Sequence, residues 1–430
     1  MNYYMKKLQV FLVLAAVVLL ASCGKEKNEP VPLKFDVYEQ KAEVNISGSN
    51  EEWIETMTLC VDVPVGEGEA QAQVMKGITE IISKSNVAKT LGAPTGNTLQ
   101  EIVDNYTKVL KNDFKAIFDQ ARAADTYPES ELNLVIRCTY QNEACVVMYV
   151  ENGRNGVVDV SSQYEAVIRL ADGHLMTSGE IADISKEKLV ELARKYADEA
   201  QDVDVEEDGE YNISLGHQAL LFHPNQYYLD EYVIPMEAVG EYLTEDAKAL
   251  LAAKEFGGED TAEPAKGDLA LYDVHGPVKE LRLVTDYGAT IYTFDKEGQL
   301  LTEKHEMGGQ VIDDKTFYDR VNRDAQGRAV ERFRDKDVKE VNMYDEAGRL
   351  VKQEYWLSGR LEWRNVNYYD GQGKLYRTNS KSTVGANHYT TTTTKYFYDN
   401  GYVYDDHGNW TDRTCQKSEY DAKRVITYYE

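Results

Sequence analysis

An Asp followed three residues later by Gly recurs five times in the last third of the chain. The copies are FDKEGQLL, RDAQGRAV, YDEAGRLV, YDGQGKLY and YDDHGNWT, with glycines at Gly298, Gly327, Gly348, Gly373 and Gly408. The spacing leaves few folds open. An Asp side chain accepts hydrogen bonds from the backbone just beyond it, and Gly takes the positive φ that closes a tight turn. Alternating segments such as IYTF and KEVNMY stand before the turns, so each copy predicts a β-hairpin. The glycines are 29, 21, 25 and 35 residues apart, an irregular array. The region Leu269–Glu430 holds 17 of the 31 tyrosines and almost no helical periodicity. It predicts an all-β hairpin-repeat sheet, elongated and twisted, with tyrosines of neighbouring strands stacked across its face. The terminal VITYYE would close the sheet edge.

Upstream, from Lys34 to Phe256, two periodicities are mixed. FDVYEQKAEVNI and WIETMTLCVDVPV alternate polar with apolar residues and predict strands. Over 70–83, Val74, Ile78, Ile81 and Ile82 line one face of a helix. Thr98 and Glu101 form a capping box for a second helix to Ala124, with Ile102, Tyr106, Val109, Leu110, Phe114, Ile117 and Phe118 on one face. Strands follow at LNLVIRCT, CVVMYV and QYEAVIRL, then a helix over 186–200 capped by Ser185. Strands at YNISLG, ALLFHP and YVIP and a helix from Thr244 complete the region. The mixture predicts an α+β domain with mainly antiparallel sheet. GGEDTAEPAKGD, 257–268, reads as a linker between it and the repeats. At 430 residues the chain is long enough for two or three domains.

A net charge of −27 repels phosphate backbones and anionic headgroups, which argues against nucleic acid, and attracts cationic partners. Lys6 and Lys7 precede an apolar run of 13 residues, Leu8–Leu20, the layout of a secretory signal and too short to span a bilayer. Of the five cysteines, Cys60, Cys138, Cys145 and Cys415 allow three pairings, and sequence does not choose among them. Cys138 and Cys145 flank TYQNEA: a four-residue loop would set them opposite each other, a two-residue loop would match Cys145 to Tyr140. Their apolar strands favour buried free thiols. With no CxxC and no Cys/His cluster, no metal or other cofactor is expected.

Three segments resemble known families. Leu20-Ala21-Ser22-Cys23 resembles the lipobox of bacterial lipoproteins, which implies removal of 1–22 and acylation of Cys23. Residues 23–33, GKEKNEPVP among them, would then be a tether, and the acyl chains would hold the protein to a membrane of the cell envelope. An outer-membrane, surface-exposed address is the expected one. YEAVIRLADGHLMTSGEIADISKEKLVELARKYA and LLFHPNQYYLDEYVIPMEAVGEYL resemble a domain of unknown function. That domain is found in the extracytoplasmic part of a lysozyme-sensing anti-sigma factor and in a peptidoglycan deacetylase. The matching positions are Phe222, Pro224, Tyr227, Tyr232, Ile234, Pro235 and Tyr242; ENGRNGVVDVSS replaces the family's Gly-Gly-Ala-His segment, and the deacetylase's catalytic domain is absent. The hairpin array resembles the tyrosine-aspartate repeats of Rhs and related bacterial surface proteins.

Candidate sites are few. His217 and His223 lie on adjoining strands near Tyr227 and Tyr232, where a ligand pocket could form, but no nucleophile motif or HExxH accompanies them. EYWLSGRLEWR places Trp356 and Trp363 on one face about a Ser358-Gly359 turn, a candidate platform for sugar rings. The acidic run 202–210 lacks the Gly and Glu of a calcium loop and reads as solvated. The expected function is therefore a non-enzymatic envelope lipoprotein. The resemblance implies a cationic, lysozyme-like protein as its partner. A glycan-binding surface module and a cell-wall glycan enzyme are the alternatives.

Overall fold

The computed structural model describes residues 32–430 apart from 49–50, 86–87, 89–97, 106, 109–128, 156–159, 197–210, 218, 225–230, 254–264, 286–287, 309, 316–317, 319, 335, 371–372, 374, 385–387, 396–402 and 414–421. Cys23, nearly all of the tether, the distal part of the helix after Thr98, the acidic run, Tyr227 and Cys415 lie outside the described residues. Among the described residues no helix is long and apolar enough to cross a membrane.

Most of the chain is antiparallel β-structure divided among several sheets. The first sheet runs in chain order through β1 (Phe35–Gly48), β2 (Glu51–Pro64), β3 (Glu129–Gln141), β4 (Cys145–Asn155), β5 (Val160–Arg169) and β6 (Leu175–Met176). Its β2 and β3 are parallel, a pairing the alternation pattern does not announce; the chain between them crosses over and includes the helix Glu69–Lys84. That helix lays Val74, Ile78, Ile81 and Ile82 against Met57, Leu59, Leu134, Ile136, Met148 and Ile168, forming a first core. Thr98 caps the next helix as expected, accepting from Glu101 N at 3.2 Å, and Ile102 and Val103 join the same core.

The β3–β4 connection matches neither expected loop. Gln141 pairs with Val146, and a bulge at Thr139 sets Cys138 opposite Met148. Cys138 faces the first core and Cys145 faces a second one on the other side, and both are buried thiols, as is Cys60. The second core lies between the first sheet and a three-stranded one, β7 (Asn212–Gly216), β8 (Ala219–His223) and β9 (Tyr232–Pro235). The helices Ser178–Ile181, Lys186–Tyr196, Met236–Val239 and Glu245–Leu251 close it. Ser185 accepts from Lys188 N at 3.3 Å, and Thr244 caps the last of these helices by accepting from Ala247 N.

The repeats form two sheets rather than one. The first contains β10 (Val278–Thr285), β11 (Gly288–Phe294), β12 (Leu300–Met307), β13 (Gln310–Lys315), β21 (Val403–Tyr404), β22 (Trp410–Arg413) and β23 (Ala422–Tyr428), in the order β13-β12-β11-β10-β23-β22-β21. The second runs in chain order through β14 (Arg320–Arg323), β15 (Ala329–Arg334), β16 (Val338–Tyr344), β17 (Leu350–Leu357), β18 (Arg360–Tyr369), β19 (Leu375–Val384) and β20 (His388–Lys395). The terminal strand β23 is thus no edge: it is wedged between β10 and β22.

All five turns share one geometry. Gly298, Gly327, Gly348, Gly373 and Gly408 have φ of 78, 77, 85, 78 and 79°. Asp295 Oδ1 accepts from Glu297 N and Gln299 N at 3.0 and 2.7 Å, and Asp324 and Asp405 do the same two and four residues on. A register shift beside each turn marks a bulge. Successive hairpins interlock at these bulges. Asn342 Nδ2 and Tyr344 OH both donate to Ala329 O, at 3.1 and 3.0 Å, and Asn367 and Tyr369 repeat the clamp on Leu350 O, both at 2.9 Å.

A 3-10 turn, Gly267–Tyr272, ties the two repeat sheets together. Gly267 and Asp268, expected to end the linker, belong to it. Asp268 accepts Leu300 N at 2.8 Å and takes the Arg323 guanidinium on both oxygens, at 2.8 and 3.0 Å. Leu269, Val274, Val278, Leu281 and Phe294 make a third core there, with Tyr344 of the other sheet packed against it.

Candidate ligand-binding cleft

Between the two repeat sheets, beside this third core, lies a cleft of about 330 Å³. One wall belongs to the first sheet: Tyr292 on β11 stands across from Glu303 on β12, and Thr290 across from His305. The other wall is the face of the second sheet that carries Arg332 and Arg334 on β15, Glu340 on β16, Gln353 on β17 and Trp363 on β18. Strand alternation explains the grouping, because Arg332 is paired with Glu340 and the remaining members follow at even spacing or directly opposite. Leu271, Tyr272 and Tyr318 complete the lining.

The polar groups of the cleft fall into two sets. Arg332 Nε lies 3.1 Å from Glu340 Oε2, its Nη2 contacts the same oxygen, and Tyr318 OH donates to the other carboxylate oxygen. The Arg332 guanidinium also lies over the Tyr318 ring, 4.3 Å from its centroid. Burial opposes the charge of Arg332, but Glu340, Tyr318 and Tyr272 outweigh it and hold the group above its ordinary range. On the far wall His305 Nε2 is 3.3 Å from Glu303 and its Nδ1 is 3.2 Å from Thr290 Oγ1.

Aromatic rings supply the rest. Tyr272 packs on Tyr292 at 4.4 Å between centroids and on Phe294 at 5.5 Å, and Trp363 stacks parallel to Tyr355 at 5.7 Å. Burial raises the hydroxyl of Tyr272 well above its usual range although Arg332 pulls it down, and burial likewise raises Tyr292 and Tyr318. At neutral pH these are therefore phenols that donate and accept, not phenolates. An open space bounded by ring faces and by fixed donors and acceptors suits a small polyhydroxylated ligand.

Of the described residues singled out in the sequence as candidate sites, only Trp363 reaches the cleft. Trp356 faces the opposite side of the same sheet, where its Nε1 donates to Glu354 Oε2 at 3.0 Å. Both tryptophans flank the expected Ser358-Gly359 turn, but a bulge between Trp356 and Tyr355 shifts the pairing so that Trp363 stands across from Tyr355. The single face expected for the pair is thereby lost.

His217, half-buried, and His223, buried, lie instead in a joint between the three-stranded sheet and the second repeat sheet. On β8, Leu220 and Phe222 point into the second core, so His223, the next residue, points away. Its Nε2 is 3.3 Å from Glu231, and Glu231 is ion-paired with Arg377 of β19; the Glu231 and Arg377 side chains are 2% and 1% exposed. Arg377 Nη2 also donates to Glu231 O at 3.2 Å. His217 is held between Tyr140 and Tyr376, with ring centroids at 4.5 and 4.7 Å. Tyr232 is buried beside Phe222. These side chains join two parts of the fold. Among the described residues no cluster of three His, Cys, Asp or Glu is arranged to hold a metal.

Sequence reasoning missed Arg332, Arg334, Glu340 and Glu303. For the first three the signal present was the segment AVERFRDKDVKEV, which sets Arg332 and Arg334 two residues apart on one strand beside Phe333.

No protein-family model matches the chain, and no curated protein matches it. Two solved structures that do match are DUF3298 family proteins. One, from Bacteroides fragilis, is 13% identical over 52% of this chain and 99% of its own, at a TM-score of 0.39. The other, from Pseudomonas aeruginosa, is 10% identical over 50% of this chain and 96% of its own, at a TM-score of 0.30. Both belong to a family of unknown function, and at these TM-scores the likeness assigns neither a site nor an activity.

Proposed function

We propose that this chain is a lipid-anchored protein of the bacterial cell envelope that binds a glycan, without catalysis, in the cleft between its repeat sheets. The cleft carries the reading: Tyr272, Tyr292, Tyr318 and Trp363 offer ring faces, and Gln353, His305 and Arg334 offer polar groups to hydroxyls. Its volume of about 330 Å³ lies at the small end of ligand pockets, enough for one or two sugar rings. The anchor would be Cys23, after cleavage at the lipobox, with the tether 24–33 carrying the folded part away from an outer membrane. The likeness of the hairpin array to tyrosine-aspartate repeats of surface proteins suits such display.

A glycan array probed with the full chain in detergent tests the cleft. Trp363→Ala is expected to lower retention at least tenfold and Trp356→Ala to leave it in place; equal losses, or none, would contradict the reading. Labelling of cells with an alkynyl fatty acid tests the anchor. The label should vanish in Cys23→Ser, and its persistence there would exclude Cys23 as the acceptor.

The net charge of −27 favours a second reading, in which a cationic protein of lysozyme type is the partner. Retention of lysozyme at low but not high salt is then expected. Failure to associate even at low salt would dismiss that partner.

A further inference from the structure

We infer that the ligand of the cleft carries a carboxylate and that Arg334 receives it; this rests on the cleft being a glycan site. The two arginines of the wall are not equivalent. Arg332 is neutralised by Glu340, which also accepts the Tyr318 hydroxyl. Arg334, two residues along the same strand face, has the Tyr318 ring 5.3 Å from its guanidinium carbon and no carboxylate partner among the described residues. It is half-buried and lines the cleft.

The other wall does not supply that partner. Glu303 has His305 Nε2 at 3.3 Å, and it stands across from Tyr292. With Arg332 and Glu340 cancelling, Arg334 is, among the described residues, the one guanidinium of the cleft whose charge awaits an anion. Its planar fork matches a carboxylate bidentately, and the aromatic floor strengthens that pairing by limiting water. The overall charge of −27 opposes any anion at long range. At physiological ionic strength, however, exposed charges beyond about 8 Å are largely screened, so the nearest guanidinium decides. A neutral sugar would leave the fork facing hydroxyls, a weaker match.

Calorimetric titration with glucuronic acid- and N-acetylneuraminic acid-terminated oligosaccharides, each beside its carboxyl-reduced form, tests this on the full chain. Wild type is expected to favour one acidic sugar over its reduced form by about tenfold, the share of one charge-assisted hydrogen bond. Arg334→Gln should erase the preference by weakening the acidic form far more than the reduced one, and Arg334→Lys should restore part of it. Equal binding of both forms by wild type, or a preference that survives Arg334→Gln, overturns the carboxylate and leaves the glycan reading standing. Binding of neither form to wild type, with Trp363 fluorescence unchanged by every sugar, overturns both.

Discussion

Arg377 and Glu231 stabilise the joint only as a pair, because side chains 1% and 2% exposed have no water to replace a lost partner. Glu231→Ala is therefore expected to cost about 3–5 kcal/mol in urea unfolding, and pairing Glu231→Gln with Arg377→Met should recover much of it. A loss below about 1 kcal/mol for the single substitution would show that the pair does not hold the joint. Glu180 offers a test in acid. Its carboxylate accepts Thr177 N at 2.8 Å, lies 2.9 Å from His174 Nε2 and takes Thr177 Oγ1 at 2.9 Å, and these contacts lower it from 4.5 to about 2. A folded-state value below the unfolded one stabilises fully above pH 4.5 and is lost as pH falls through about 2. Between those limits Glu180→Gln should lose less stability than wild type; parallel curves would deny the capping box its role. Single residues were only partly legible. His223 and Trp363 stood out as chemically rich, but the surroundings of the first depend on Arg377, far along the chain, and the face of the second on a bulge that its own hairpin does not announce.

The hairpin turns were the most legible elements, because Asp and Gly act within six residues of one another and need nothing distant. Their glycines are nevertheless unequal. A Cβ on Gly327 would meet nothing within 4 Å, so Gly327→Ala carries only the backbone cost of positive φ, about 1–2 kcal/mol. On Gly298 the same atom would stand 2.8 Å from Lys266 O and 3.1 Å from Leu269 Cδ1, against the turn that ties the sheets together. Gly298→Ala should therefore destabilise clearly more than Gly327→Ala in thermal unfolding, and equal losses would mean that the Gly267–Tyr272 turn is not held there. What the repeats concealed was their division into two sheets. Local turn chemistry pairs each strand with its neighbour but says nothing of β10 meeting β23, a pairing made by residues at opposite ends of the region. The parallel β2–β3 pair was hidden for the same reason.

Across the whole molecule, the first two cores share one sheet and polar anchors help to join the remaining parts. The Glu231–Arg377 pair joins the three-stranded sheet to the second repeat sheet, and Asp268 with Arg323 joins the two repeat sheets. The cleft lies beside the second of these anchors, so its walls are set by contacts that a ligand need not make. Its aromatic and arginine faces occur in a chain of net charge −27, so the arginine wall stands out against an acidic background. Hydrogen–deuterium exchange of the full chain with and without a glycan retained on the array tests the central claim most directly. The account predicts added protection over β11–β12, β15–β18 and the Gly267–Tyr272 turn, and none over β7–β9. Protection confined to β7–β9, or absent from the strands that carry Arg332, Arg334, Glu340 and Trp363, would contradict it.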